Sequence, residues 1–440
     1  MSDKSGKSDK NDRSDQGDRS DEYARSAPDS PLAALKDRRI ILTVTGGIAA
    51  YKAAELSRLL VKSGALVRVV MTEASQKFVT PLTFSSLTGG PVATDLWENH
   101  SSSENSSQLN NITHVAWSQW AEAIATAPAT ADFLAKLAHG LADDLASATA
   151  LAFNGPRLVA PAMNTQMYLN QATVDNLELL RRRGYRIASG SEGLLACGTV
   201  GKGRMASVWV IAMELARLLS SGPLKGKKVV VTGGATREPW DDIRFLSNRS
   251  SGLMGLALAQ AAWLMGADVT YISGPAAAEP PETLEGLRVM KIGTTQDLYE
   301  TVEDNLEGAW ALVMNAAPAD FRPKDLVRGK ISKSGQQVPS LVLARTVDIL
   351  SSLKPKKGNT IFVGFAAEED SLIERAKEKL KRKNLDYIAA NQAGGSGSAF
   401  GSESISLNLL SAKGSMQTIG PTSKFQASWL LWERVLASEQ

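Results

Sequence analysis

Arg39-Ile40-Ile41-Leu42-Thr43-Val44-Thr45-Gly46-Gly47 is a nearly unbroken apolar run that ends on a glycine pair. Lys227-Lys228-Val229-Val230-Val231-Thr232-Gly233-Gly234 repeats the arrangement in the second half of the chain. Runs without polar alternation fit strands buried on both faces, so each opening reads as the first strand of a doubly wound parallel sheet. After the first opening, a small-residue helix from Ile48 precedes a strand at Leu66 to Met71. Strands follow at Ala123 to Ala127 and Arg157 to Ala160, with a helix from Thr130 to His139 between them. After the second opening, a helix near Met254 to Met265 precedes a strand at Asp268 to Ile272. Later strands fall near Ala311 to Asn315, Thr360 to Phe365 and Tyr387 to Ala390. The alternation predicts an α/β protein of two Rossmann-like parallel-sheet domains, with ligands at the carboxyl ends of the strands. An amphipathic helix near Val208 to Leu219 followed by Ser220-Ser221-Gly222-Pro223 predicts a linker, giving domains at 35–221 and 222–440.

Residues 1–34 are mostly Ser, Asp, Lys, Asn and Arg, with almost nothing to bury. Ordering them would cost roughly 1–2 kcal/mol of backbone entropy per residue, so a disordered tail is expected. The Ser- and Asn-rich stretch Asn99 to Asn111 reads either as a mobile lid or as plain linker. The chain has 440 residues, with 49 Lys+Arg against 46 Asp+Glu and a formal net charge of +3, so no nucleic-acid partner is expected from bulk charge. No stretch approaches the roughly 18 apolar residues of a membrane helix and no signal-peptide core is seen, so the cytoplasm and no membrane partner are expected. One cysteine, Cys197, and three histidines leave little for a cysteine- or histidine-based metal site.

Neither glycine turn carries the spaced glycines of G-x-G-x-x-G, which disfavours a nicotinamide dehydrogenase. Each turn either lets the backbone approach a phosphate or is only a tight turn. Ala127-Pro128-Ala129-Thr130-Ala131-Asp132 leaves a strand and opens a helix with side chains small enough for a flat ring, and Thr130 can cap the helix. In Pro161-Ala162-Met163-Asn164 the amide can bind a carboxylate or carbonyl, or simply form the turn. Cys197 lies in the glycine-dense run Gly193 to Arg204, whose flexibility suits a flap, and the nearby Lys202 and Arg204 favour a functional thiol over an inert one. Nothing local decides the role of His114.

Taken together, Gly46 to Lys52, Thr72-Glu73-Ala74-Ser75, His114, Ala127 to Asp132, Pro161 to Tyr168 and Ala196-Cys197-Gly198 closely resemble the flavin-dependent phosphopantothenoylcysteine decarboxylases. In the second half, Thr236 to Pro239, Ser247 to Gly255, Asn315 to Phe321, Lys330-Ile331-Ser332-Lys333, Gly364 to Glu368 and Lys383 to Asp386 resemble bacterial phosphopantothenate-cysteine ligase. The order of motifs agrees over essentially everything after the tail, as in the fused bifunctional enzymes of coenzyme A biosynthesis. One departure is visible: the family usually has lysine where Ser332 stands.

The resemblance implies a flavoprotein-type and a ligase-type domain. The ligase would join 4'-phosphopantothenate to L-cysteine, using CTP to form an acyl-cytidylate. By the same resemblance Lys330 stabilises charge on the phosphates and carbonyl, Asn248 holds the acyl group, Asp320 and Phe365 form the nucleotide pocket, and Lys383 lies near the phosphates. Read from pattern alone, Lys330 and Lys333 would be a solvated charged turn. Magnesium is expected on the triphosphate, with no ligands identified. The decarboxylase would take 4'-phosphopantothenoylcysteine and oxidise its thiol with FMN, making carbon dioxide loss accessible. Cys197 is implied as proton donor, His114 as base or electrostatic partner and Asn164 as the carboxylate-binding group. FMN would lie against Gly47, Ile48, Ala49, Thr72, Ser75, Pro128, Ala129 and Thr130. A homo-oligomer is implied, with a trimer-based flavin domain and a dimeric ligase domain. Two other readings stay open: a flavin-binding regulatory protein of the same fold, and a two-domain nicotinamide oxidoreductase.

Overall fold

A computed structural model describes residues 28–97, 113–190, 193–194, 200–275, 278, 280, 284–331, 340–368, 371–392 and 404–437. Two sheets dominate. The first is built from β1 (Arg39–Val44), β2 (Leu66–Met71), β3 (Val92–Ala93), β4 (Ala123–Ala129), β5 (Arg157–Pro161) and β6 (Tyr185–Ile187), in the order β3-β2-β1-β4-β5-β6 and parallel throughout. Its helices are α1 (Ala50–Lys62), α2 (Thr113–Trp120), α3 (Ala131–His139), α4 (Leu145–Ala152), α5 (Gln171–Arg182) and α6 (Val208–Leu219). A short antiparallel pair, β7 (Gly193–Leu194) with β8 (Val200–Gly201), precedes α6. The order reverses between β1 and β4, and such a switch point opens a crevice where ligands bind.

The second sheet repeats the plan. It contains β9 (Lys228–Gly233), β12 (Asp268–Ser273), β13 (Leu287–Lys291), β14 (Ala311–Met314), β17 (Ile361–Glu368), β18 (Tyr387–Gln392), β19 (Ser404–Ser411) and β20 (Met416–Ser423), ordered β13-β12-β9-β14-β17-β18-β19-β20. Two small antiparallel pairs flank it: β10 (Arg237–Pro239) with β11 (Phe245–Ser247), and β15 (Phe321–Pro323) with β16 (Leu343–Arg345). Helices α7 (Leu253–Leu264), α8 (Thr295–Leu306), α9 (Leu372–Arg382) and α10 (Lys424–Ala437) complete this half. The sheet is parallel from β13 to β18, and the β19–β20 hairpin adds an antiparallel edge that the sequence reading did not anticipate.

One expectation is corrected at the N-terminus. Residues 28–34, assigned to the disordered tail, are ordered: Pro31–Leu35 forms a 3-10 turn whose Leu35 is fully buried, and the Ser423 hydroxyl donates to the Asp29 carbonyl at 2.7 Å. Two leucines and two alanines in five residues supply an apolar face that the average composition of the tail conceals.

A single hydrophobic cluster runs from the first sheet through α6 and α7 to the second sheet and α10. Polar contacts reinforce the join. The Arg186 guanidinium meets Glu214 at 2.7 Å and also the Glu285 carboxylate and carbonyl. Arg217 of α6 donates to the Trp263, Gly266 and Ala267 carbonyls at the end of α7 and lies over the Trp263 ring. These carbonyls lie at and just beyond the C-terminal end of α7, where the helix dipole favours a cation, so Arg217 acts as a side-chain cap supplied from the other half. Burial pushes the Arg217 guanidinium down to about 10 and pushes the Glu214 carboxyl up, against the opposing pull of Arg186.

Candidate active sites

The first cavity, about 530 Å³, lies at the carboxyl ends of β1, β4 and β5. Gly46, Gly47, Ile48 and Ala49 follow β1, Thr130 and Ala131 follow β4, and Ala162, Met163 and Asn164 follow β5; Gly203 and Arg204 close one side. The turn after β1 is crowded, because a Cβ on Gly46 would stand 2.4 Å from the Ala74 Cβ. The Thr45 hydroxyl donates to the Pro128 carbonyl at 2.7 Å and accepts the Thr130 N–H at 3.1 Å, tying the ends of β1 and β4 together. Thr130 accepts from the Phe133 N–H and caps α3, while Asn164 accepts from the Gln166 N–H and caps the one-turn helix Thr165–Leu169. Gly203, at φ +115°, accepts the Met163 N–H, and a side chain there would run into the Met163 carbonyl.

Of the residues singled out from the sequence, Gly47, Ile48, Ala49, Thr130 and Asn164 share this cavity. Thr72, Ser75, Pro128 and Ala129 stand behind its lining; Ser75 is buried and its hydroxyl donates to the Thr72 carbonyl at 2.7 Å. His114 is not brought to this cavity within one chain. It sits on the first turn of α2 with its Nδ1 buried and without a hydrogen-bond partner among the described residues. Cys197 lies outside the described residues, as does the Asn99 to Asn111 stretch. Tyr51, Lys52, Met167 and Arg204 also line the cavity; they fall within the stretches quoted from the sequence, but no binding role was given to them there. Lys52 closes the quoted motif Gly46 to Lys52, so its position along α1 was available in the sequence.

The second cavity, about 580 Å³, opens at the carboxyl ends of β14 and β17. It gathers Asp320, Phe365 and Lys383, which lie far apart in sequence, with Arg345, Thr346, Asp348, Lys379 and Arg382. Lys383 pairs with Asp348 at 2.9 Å. Burial works against ionisation of the Asp348 carboxyl, but Lys383 and the Ser351 N–H hold it below the usual carboxylate range. The loop bearing Asp320 is held from beneath: the Ala319 N–H donates to Thr236, whose hydroxyl meets Thr295, and Thr295 donates through both N–H and hydroxyl to buried Glu238 at 2.8 Å. Asn248 donates to the Pro318 carbonyl at 2.9 Å, on the rim of the cavity.

Lys330 does not line this cavity. It is exposed, between two backbone N–H groups that anchor its loop: Gly329 donates to Asp242 and Ile331 to Asp241. Burial opposes ionisation of Asp241, but the N–H groups of Ile243, Arg244 and Ile331 hold its carboxyl below the ordinary range. Ser332 and Lys333 lie outside the described residues. Lys379 and Arg382 were missed; with Lys383 they fall at helical spacing in a charged run, a signal the sequence does contain. Among the described residues there is no cluster of three or more His, Cys, Asp or Glu able to hold a metal ion, and no helix long and apolar enough to cross a membrane.

Two glycine-turn α/β modules in tandem, each with a cavity at the carboxyl ends of its strands, define a two-site α/β protein. The family model Flavoprotein matches residues 29–220, and the DNA/pantothenate metabolism flavoprotein C-terminal domain matches residues 224–438. The chain is 39% identical over 406 residues to the coenzyme A biosynthesis bifunctional protein CoaBC of Bacillus subtilis (strain 168), covering 92% of this chain and 98% of that protein. It is 38% identical over 379 residues to the protein of the same name from Escherichia coli (strain K12), covering 85% and 91%. Among solved structures, the C-terminal domain of a CoaBC protein is 30% identical and covers 50% of this chain and 98% of its own, at a TM-score of 0.42. A PPC decarboxylase variant complexed with pantothenoylaminoethenethiol is 29% identical and covers 41% and 97%, at a TM-score of 0.37. The chain belongs to the CoaBC family of bifunctional coenzyme A biosynthesis proteins and is an enzyme with a decarboxylase half and a ligase half.

Proposed function

We propose that the second half ligates cysteine to 4'-phosphopantothenate with CTP, and that the first half decarboxylates the resulting 4'-phosphopantothenoylcysteine with FMN to give 4'-phosphopantetheine. The observation that carries this reading is the pair of separate cavities, one floored by small residues and the other ringed by charge.

The first cavity fits a flavin. Gly46 and Gly47 carry no side chain and Thr130, Ala131 and Ala162 carry short ones, so a flat ring can rest on backbone, with Gly47 and Thr130 on its walls and Thr72, Ser75, Pro128 and Ala129 shaping the floor behind. FMN when bound supplies two-electron chemistry at the substrate thiol, which makes loss of carbon dioxide accessible. The chain's own groups bind and move protons. Asn164, at the rim, holds the substrate carboxylate through its amide; His114 acts as base or electrostatic partner in the decarboxylating step; Cys197 returns a proton to complete the product. Because His114 does not line the cavity of its own chain, this assignment goes with a trimer in which one subunit's His114 serves a neighbour's cavity.

In the ligase half a carboxylate must first become a good electrophile. Asp320 and Phe365 hold the cytidine, Lys383 and its basic neighbours face the phosphates, and Asn248 holds the acyl group. Lys330 reaches the developing charge from its anchored loop, and Mg²⁺ accompanies the triphosphate. We divide the chain at 221/222, place it in the cytoplasm and take the ligase half to be dimeric.

The test is an assay of the purified full chain with phosphopantothenate and cysteine. CTP should support formation of 4'-phosphopantetheine and carbon dioxide where ATP does not, and the protein should be yellow; turnover with ATP at the CTP rate would overturn the nucleotide assignment. His114→Asn should abolish carbon dioxide release. Cys197→Ser should release it yet accumulate an oxidised intermediate, and equal loss in both variants would refute the division of labour.

A further inference from the structure

Arg68 sits in the middle of β2, opposite Ile41 of β1. Its guanidinium lies 4.1 Å from the centroid of the Trp120 ring and 5.4 Å from that of Trp117. No carboxylate pairs with it among the described residues, so the two indoles stand where a counter-ion would be expected. A cation over an indole face is worth about 0.5–2 kcal/mol depending on how dry it is, and here one half-buried cation serves two rings. Burial pushes the Arg68 guanidinium below its ordinary value, as expected for a cation held by rings rather than by an anion.

Both indoles belong to α2, the helix that carries His114. Trp117 lies one turn beyond His114 and Trp120 nearly another turn on. The helix has eight residues, its other packing is onto α4, and its first turn adjoins residues outside the described set. Among the described residues the His114 ring has no hydrogen bond at Nδ1 to fix it. Its placement therefore follows the rotation and depth of α2 on the sheet, and the Arg68 stack fixes that rotation together with the buried Trp117 ring and the packing on α4.

We infer that Arg68 is a positioning residue for His114, acting through the Trp117 and Trp120 rings of α2 to set where the imidazole stands in the decarboxylation site. The inference rests on the role given to His114 above. A misplacement of about 1 Å at a reacting group can cost on the order of 100-fold in rate, so a clamp remote from the substrate has leverage on kcat without touching substrate binding.

The test uses the full-length protein with 4'-phosphopantothenoylcysteine supplied directly. Arg68→Met should lower decarboxylation kcat about tenfold or more while KM stays within about twofold, and Arg68→Lys, which keeps a cation over the rings, should recover most of the loss. The chain has only three histidines, so with ¹⁵N-histidine labelling the His114 signal is assigned by its disappearance in His114→Asn. In Arg68→Met that signal should move while the His139 signal and the ligation rate stay put. An unchanged kcat, a failure of lysine to rescue, or a fall in ligation and movement of His139 alongside would each overturn the inference. Should Arg68→Met fail to fold, Trp120→Phe and Trp120→Leu replace it: the proposal requires phenylalanine to retain at least half the rate and leucine to reproduce the loss, and equal behaviour refutes it. Wild-type decarboxylation by His114→Asn would sink the reading of His114 itself; loss in that variant beside wild-type behaviour in Arg68→Met sinks only the inference about Arg68.

Discussion

The two cavities have nearly the same volume, about 530 and 580 Å³, and each opens at the carboxyl ends of a parallel sheet, yet their linings are opposites. The first is lined mainly by Gly46, Gly47, Ala49, Ala131, Ala162 and methionines, with Lys52 and Arg204 its cations and no acid, so it offers mostly backbone and soft apolar surface. The second presents Arg345, Lys379, Arg382 and Lys383 against Asp320 and Asp348. The first spans β1, β4 and β5 and so straddles its switch point; the second is displaced to β14 and β17, one strand further along. One strand plan thus supports a flat-ring site or a polyanion site according to which strand ends are left bare and which helix brings charge.

Five substitutions probe that contrast. The largest effect is expected from Lys330→Gln, which should slow ligation by about 100-fold or more while leaving decarboxylation of supplied intermediate untouched, as two-substrate assays will show. Loss of both activities would mean that the cavities do not act independently. Next, Arg186→Met leaves Glu214 buried without its partner and should cost about 3 kcal/mol, read as a lower denaturation midpoint shared by both halves. The pH dependence carries a sign. Folded Glu214 holds its proton above the unfolded carboxylate value, so stability falls as pH rises from that value through the raised folded one, and Glu214→Gln should flatten this decline. Gly46→Val puts a side chain against Ala74 and should cost about 1–3 kcal/mol with loss of bound flavin absorbance, while CTP-dependent ligation persists. The smallest effect belongs to Asp348→Asn. Its partly exposed pair with Lys383 is worth less than about 1 kcal/mol. Because the folded carboxyl titrates below its unfolded value, that contribution is present above the unfolded value and lost as the pH drops through the folded one, so the variant should show a shallower acid limb in urea titrations.

What could be read from the chain follows the same division. Strands buried on both faces, such as β1, β9 and β12, announce themselves as runs of Ile and Val, and α6 as an unmistakable amphipathic stretch. Several of the elements that escaped, β13, α8, α9, the β19–β20 hairpin and α10, mix polar and apolar residues so that neither period dominates locally. The glycine turn, Thr130 and Asn164 were legible because backbone geometry demands those residue types at strand ends. That His114 stands away from the first cavity was not, because the docking of α2 is set by Trp117, Trp120 and Arg68, which meet only in three dimensions. Pro31–Leu35 was hidden by its neighbours: a buried face of five residues disappears inside a polar average.

The seam between the halves has one further consequence. With Arg217 capping α7, Glu214 and Arg186 locked beneath, and a shared apolar cluster running through both helices, the seam cannot flex without stripping a cation from three carbonyls and wetting leucines. A thiol intermediate made downstream is then not ferried by a swinging arm. It leaves one mouth and finds another whose bearing is fixed, so the efficiency of hand-over becomes a matter of tethered diffusion between stationary ports.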